Sequence, residues 1–203
     1  ALVFTLVAAS AFGAVQTRTV EYRHAETVLE GVLVWDDGVG GPRPGVLIAH
    51  AWKGPGEYEL GRARQLAEMG YAAFVLDIYG KGVRAANADE ARALAGIYRA
   101  DRPLMRARAQ RALEELKAQP ECDPARIAAI GYCFGGGVVL ELARSGADLD
   151  AVVSFHGNLD SPLPPKAGDV RASILVCHGG DDPGVPMAQV NTFVEEMRSA
   201  KAD

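Results

Sequence analysis

Cys133 is the centre of the pentapeptide Gly131-Tyr132-Cys133-Phe134-Gly135. The apolar run Ile127-Ala128-Ala129-Ile130 leads into it, and Gly136-Gly137-Val138-Val139-Leu140-Glu141-Leu142-Ala143 leads out. That order reads as strand, sharp turn, helix. Such a turn lifts its central side chain into a strained, exposed position. The flanking glycines leave room where a Cβ would strike the neighbouring strand or helix. A helix N-terminus favours negative charge through its dipole and its free N–H groups. The chemistry expected is therefore attack by a thiolate on an electrophilic carbon. The plainer reading makes Cys133 a small buried apolar residue with glycines for packing. The strand before it and the helix after it favour the nucleophile.

Partners for such a nucleophile can be sought along the chain. The segment Ile174-Leu175-Val176-Cys177-His178-Gly179-Gly180-Asp181-Asp182-Pro183 ends a strand-like run in two carboxylates. A carboxylate there would hold an imidazole in its working tautomer and stabilise its cation. Asp182 is the choice for this role over Asp181. The alternative is that the aspartates only cap the helix that starts near Pro186. An oxyanion site needs two backbone N–H donors. Phe134 supplies one, and Trp52, in Ala51-Trp52-Lys53-Gly54-Pro55-Gly56, is the choice for the other. The four histidines, His24, His50, His156 and His178, all precede Asp182. Each reads as a polar rim residue or a satisfied core histidine. The order nucleophile, acid, histidine places the base beyond the acid. The expectation is thus a fragment without its last strand and histidine loop, inactive by itself.

The 203 residues suffice for one domain with a sizeable core. A composition of 49% hydrophobic and 23% charged residues is that of a globular chain. The net charge of −5 argues against a nucleic-acid surface, which needs a basic stripe. Residues 1–14 are small or apolar and uncharged, and Ala9-Ser10-Ala11 fits a signal-peptide cleavage pattern. They are expected to be a signal-peptide remnant, with the domain over 15–203 and a periplasmic or secreted location. The stretch is too short to span a bilayer, so no membrane partner is expected in the mature form. The three cysteines are an odd number, leaving at least one free thiol. Cys122 falls in a loop and Cys177 in an apolar strand expected to be core. The three show no metal-ligand spacing.

The elements that must position these residues follow from periodicity. Residues 19–23 and 27–35 partly alternate apolar with polar, as antiparallel strands do. Residues 45–50 and 71–77 are continuous apolar runs, typical of strands buried on both faces. So are the shorter runs at 127–130, 151–155 and 173–177. Helices are expected over 57–69, 87–98, 103–118 and 186–198, with another after Cys133. Strands alternating with helices give a mostly parallel sheet with helices on both faces. His50, Asp77, Cys133, His156 and Asp182 fall at or just after strand ends, on one rim, where such sheets bind ligands.

A Cys-bearing strand–turn–helix of this form is similar to the nucleophile elbow of α/β-hydrolases. More narrowly, the chain resembles the dienelactone hydrolase family from about residue 19 to 203. Gly131-Tyr132-Cys133-Phe134-Gly135-Gly136 carries the resemblance. So do Gly70-Tyr71-Ala72-Ala73-Phe74-Val75-Leu76-Asp77-Ile78-Tyr79-Gly80, Gly179-Gly180-Asp181-Asp182-Pro183 and Val185-Pro186. The resemblance implies an α/β-hydrolase fold and a Cys-His-Asp triad opening lactones or cleaving esters. Cys133 would be the nucleophile and Asp182 the acid. Well-known members carry a Glu in the loop after the third strand, where Ala51 stands here beside His50. Others hold a substrate carboxylate with arginines, and Lys81 stands near one such position.

The expected function is a carboxylic ester or lactone hydrolase acting on a small molecule, with no metal or organic cofactor implied. The alternative from another class is a non-catalytic domain of the same fold that binds a ligand or partner. A nucleotide-binding fold is disfavoured, because Gly131-x-x-x-Gly135-Gly136-Gly137 matches neither glycine-rich phosphate motif.

Overall fold

The computed structural model describes residues 13–202. The signal-peptide reading falls almost wholly outside them. Two long strands, β1 (Val15–His24) and β2 (Thr27–Asp36), open the domain as an antiparallel hairpin turning at Ala25, φ 49°. β1 begins four residues before the alternation at 19–23 suggests. Its pairing with β2 carries it on to Val15 opposite Asp36.

Then follow β3 (Arg43–Ala49), α1 (Glu57–Glu68), β4 (Ala72–Val75), α2 (Ala88–Ala100), α3 (Arg102–Lys117), β5 (Cys122–Tyr132), α4 (Phe134–Arg144), β6 (Ala151–Phe155), β7 (Ser173–Cys177) and α5 (Met187–Ala200). The seven strands run in the order β1-β2-β4-β3-β5-β6-β7. β2 meets β4 antiparallel, and β3, β4, β5, β6 and β7 pair in parallel.

Strand alternation sorts the core into two layers. Val46 and Ile48 face α1, packing with Ala63 and Ala67. Leu47, Ala49 and Phe74 face the opposite side, where α3 and α4 bring Leu113, Leu116, Val138 and Leu142. From β3 the chain crosses by α1 to β4 on one side. It then returns over the other face by α2 and α3 to β5 on the other side. The direction of winding reverses between β3 and β5, and ligand sites of open α/β sheets lie beyond the strand ends at such a point.

The helix boundaries follow from the sequence. Asn87 caps α2, accepting from the N–H groups of Asp89 and Glu90. Asp101 caps α3, which carries a proline in its first turn. Gly70, at φ 92°, takes the left-handed conformation just beyond α1.

Two cysteine assignments need correction. Cys122 is not in a loop. It starts β5, is buried, and pairs with Arg43. The flanking prolines hide this: Pro120 precedes β5, and Pro124 falls inside it because the β3–β5 register breaks between Pro44 and Gly45 and takes it in. Cys177 is not core either, but exposed. α1 covers the β2–β4 part of its face. Among the described residues nothing covers that face of β7, so Ser173, Leu175 and Cys177 are all exposed. No helix among the described residues is long and apolar enough to cross a membrane.

Candidate active site

Cys133 lies between the end of β5 and the first residue of α4, half-exposed, with φ 55° and ψ −115°. A non-glycine residue with positive φ is strained, and such strain gathers at functional sites. Its N–H donates to Phe155 O at 2.9 Å, and its carbonyl accepts from Gly136 N–H at 3.0 Å. The glycines around it are sterically required. A Cβ on Gly131 would lie 2.7 Å from Gly136 N. One on Gly135 would lie 2.6 Å from the Ala49 carbonyl carbon, and one on Gly136 would lie 2.6 Å from Ser154 Oγ. These contacts bring the start of α4 hard against the end of β3. The thiol and the 50–56 loop therefore share one rim.

That loop is held from three sides. Glu59, buried in the first turn of α1, accepts from Ala51 N–H at 3.0 Å and from Gly56 N–H at 3.1 Å. The Ala51 carbonyl accepts from Gly54 N–H at 3.1 Å. Tyr79 donates its hydroxyl proton to Trp52 O at 2.9 Å. Ala51 N–H is thus occupied, whereas neither Trp52 N–H nor Phe134 N–H finds an acceptor among the described residues. Both donors named from the sequence remain available.

His50 is fully buried. Its Nδ1 meets Ala51 O at 2.7 Å, and Ile78 N–H donates to its Nε2 at 3.3 Å. Those partners define a neutral ring protonated on Nδ1, and burial pushes its pKa below the usual 6.5. The ring also packs on Tyr79 and Phe134, at centroid distances of 4.7 and 5.8 Å. With both nitrogens engaged, His50 is a structural tie between β3 and β4.

Asp77 is likewise structural. It is buried, and its carboxylate accepts from the N–H groups of Tyr79, Gly80 and Glu30. His156 is exposed at the end of β6 with φ 44°, and its N–H donates to Cys177 O. Both ring nitrogens of His178 are buried without an acceptor or donor.

Asp182 stands half-exposed in the loop after β7, where its Oδ1 accepts from Gly184 N–H at 2.8 Å. It does not cap α5. Pro186 occupies the N-cap, with no side-chain cap. Neither aspartate therefore does the capping work that would explain the pair without chemistry. The ammonium of Lys81 is held by Glu21 and, at 3.5 Å, by Glu30, both on the β1–β2 hairpin. These carboxylates, Glu21 above all, hold its pKa above the ordinary lysine value.

Three residues were missed by sequence reasoning. Glu59 had a readable signal, because it stands three residues after the helix N-cap Gly56, where a side chain can bond back to the cap. Tyr79 and Arg99 had none. The Arg99 guanidinium lies 5.8 Å from the centroid of the Phe134 ring. Among the described residues, no group of three or more His, Cys, Asp or Glu side chains is placed to hold a metal ion.

A mostly parallel sheet and a helix springing from a strained turn after β5, packed against the end of β3, are those of an α/β-hydrolase fold. The model of the dienelactone hydrolase family matches residues 29–203, and the chain belongs to that family. Among solved structures it is similar to m3DLH, with a TM-score of 0.90 and 42% identity over 94% of this chain and 80% of that one. It is also similar to a dienelactone hydrolase-like promiscuous phosphotriesterase, P91, from metagenomic libraries. There the TM-score is 0.86, with 43% identity and the same coverage. A Methylorubrum extorquens protein provisionally named carboxymethylenebutenolidase is 26% identical over 79% of this chain and 59% of its own length. The chain therefore spans about three-fifths of that relative.

Proposed function

We propose that this protein hydrolyses carboxylic esters or lactones of small molecules through a thioester on Cys133. The observation that carries the reading is the strained backbone of Cys133, φ 55°, fixed by glycines that leave no room for a Cβ. Nothing in packing requires a cysteine there, whereas a nucleophile set at a helix N-terminus needs that geometry. The thiolate adds to the substrate carbonyl, and the oxygen takes up negative charge facing the free N–H groups of Trp52 and Phe134. Each such donor contributes about 3–4 kcal/mol to stabilising the transition state. Collapse expels the alcohol, with a proton, and leaves the acyl group on sulfur. Water then adds to the thioester and releases the acid and the thiol.

Asp182 is proposed as the carboxylate that orients a general-base histidine. His50 does not serve, since both its nitrogens are engaged. The order nucleophile, acid, histidine assigns the base to a histidine that follows the acid. Membership of a hydrolase family and likeness to m3DLH support the reaction class.

The test is turnover of a panel of 4-nitrophenyl esters and simple lactones by the protein expressed from its complete gene. Cys133→Ala is expected to abolish turnover, and Asp182→Asn to lower kcat by about a hundredfold or more. Full activity of Cys133→Ala would move the chemistry elsewhere. Absence of turnover in the unaltered protein would favour the ligand-binding reading.

A further inference from the structure

Trp52 N–H belongs to the peptide whose carbonyl oxygen is Ala51 O. That oxygen accepts twice. His50 Nδ1–H reaches it at 2.7 Å, and the N–H of buried Gly54 reaches it at 3.1 Å, closing a turn over residues 51–54. A carbonyl oxygen has two lone pairs, so both are used. In a trans peptide the C=O and N–H point opposite ways. Whatever holds Ala51 O therefore also aims Trp52 N–H, which meets no acceptor among the described residues.

The peptides on either side are fixed by other groups. Ala51 N–H donates to Glu59, and Trp52 O accepts from Tyr79. The middle peptide is left to His50 and Gly54. Its reversal would turn a carbonyl toward the proposed oxyanion and strand two buried donors, each at a cost. The His50 ring cannot follow such a reversal. It is wholly buried against Tyr79 and Phe134, and its Nε2 takes Ile78 N–H. A hydrogen bond donated to a carbonyl also polarises that amide and strengthens its N–H as a donor.

We infer that His50, beyond tying β3 to β4, is a positioning residue for the reaction: its Nδ1–H aims Trp52 N–H at the oxyanion and strengthens it. His50 acts through the Ala51–Trp52 peptide and not on the substrate. The inference rests on the hydrolase reading above and adds the group that sets one of its two donors. The two ring nitrogens then have separate duties, Nδ1 to the donor peptide and Nε2 to the strand tie.

The experiment separates those duties in the protein expressed from its complete gene. The amide nitrogen of Asn can stand in for Nδ1 and the amide of Gln for Nε2, so His50→Asn keeps the bond to Ala51 O and His50→Gln loses it. The substrates are 4-nitrophenyl acetate and its thionoester, in which sulfur replaces the carbonyl oxygen and accepts hydrogen bonds poorly. The ratio of their kcat/KM values reads the oxyanion donors. It is expected to fall by about tenfold in His50→Gln, as for a displaced donor, and to be kept in His50→Asn. An unchanged ratio in His50→Gln, or an equal fall in both variants, overturns the inference. A second readout needs no turnover. Amide exchange followed by NMR should show Gly54 N–H, which bonds the same Ala51 O, exchanging faster in His50→Gln than in His50→Asn. Equal exchange overturns the inference. If the unaltered protein hydrolyses neither ester, the proposed function fails, and Gly54 exchange alone decides whether Nδ1 holds this peptide.

Discussion

The hydroxyl of Tyr79 donates to the carbonyl of Trp52 across 2.9 Å, joining the loop after β4 to the loop after β3. Tyr79 is in turn fixed by its ring contacts to His50 and Phe134 and by Arg108, which donates to its carbonyl at 3.0 Å. Trp52, whose N–H lies in the preceding peptide, is therefore held through its carbonyl from the β4 side of β3. Tyr79→Phe keeps the ring and removes that one bond. The expected loss of stability is about 1 kcal/mol. If the loop carries the oxyanion donor, kcat should fall by about tenfold with KM little changed, because the donor is displaced from the developing charge. Steady-state kinetics on a neutral ester, with a thermal melt, checks both.

Two glycines separate geometric need from habit. Gly135→Ala would force a Cβ against the Ala49 carbonyl, between β3 and the start of α4. It should destabilise the protein by about 1–3 kcal/mol and disturb the elbow. Gly61, inside α1, has nothing within 4 Å of its would-be Cβ. Gly61→Ala should stabilise by about 0.5–1 kcal/mol through helix propensity. Urea unfolding of the two variants is expected to show opposite signs.

Buried, neutral His50 makes stability depend on pH. Burial puts its folded pKa below the 6.5 of the unfolded chain. Below pH 6.5 the unfolded chain takes up a proton that the folded protein does not. The stability contributed by His50 is thus complete above pH 6.5 and is lost as the pH falls, by at most about 1.4 kcal/mol per pH unit. His50→Gln should flatten that slope between about pH 6.5 and 5.5, where few carboxylates titrate. Denaturant melts across the window test this, and an equal slope in both proteins would exclude His50 as its source.

The three thiols should react in a definite order with iodoacetamide. Cys133 should react first, Cys177 second because it is merely exposed, and Cys122 last. Burial pushes the Cys122 thiol up to about 11, so little thiolate forms at neutral pH. Peptide mass spectrometry over a time course reads the order. Cys177 reacting as fast as Cys133 would remove the case for an activated nucleophile.

What could be read from the residues was what local pattern controls. The apolar runs gave the strands of the parallel sheet, because a strand buried in the middle of such a sheet has few polar positions, although β7 is exposed on one face. The elbow was legible because its glycines stand next to the nucleophile in the chain. Cys122 and Cys177 were misplaced because pairing across the sheet and cover by a distant helix decide burial, and neither leaves a periodic signal. Tyr79 and Arg99 were invisible for the same reason. Tyr79 lies 27 residues from Trp52, and Arg99 meets Phe134 only across the fold.

The central claim is that Cys133 carries the acyl group. The most direct measurement is rapid acid quenching of the protein during turnover of a 4-nitrophenyl ester, followed by peptide mass spectrometry. The account predicts an acyl group on the peptide containing Cys133, released by hydroxylamine and absent from Cys133→Ser quenched in the same way or carried there as an ordinary ester. Acylation of another residue, with Cys133→Ala as active as the unaltered protein, would contradict it.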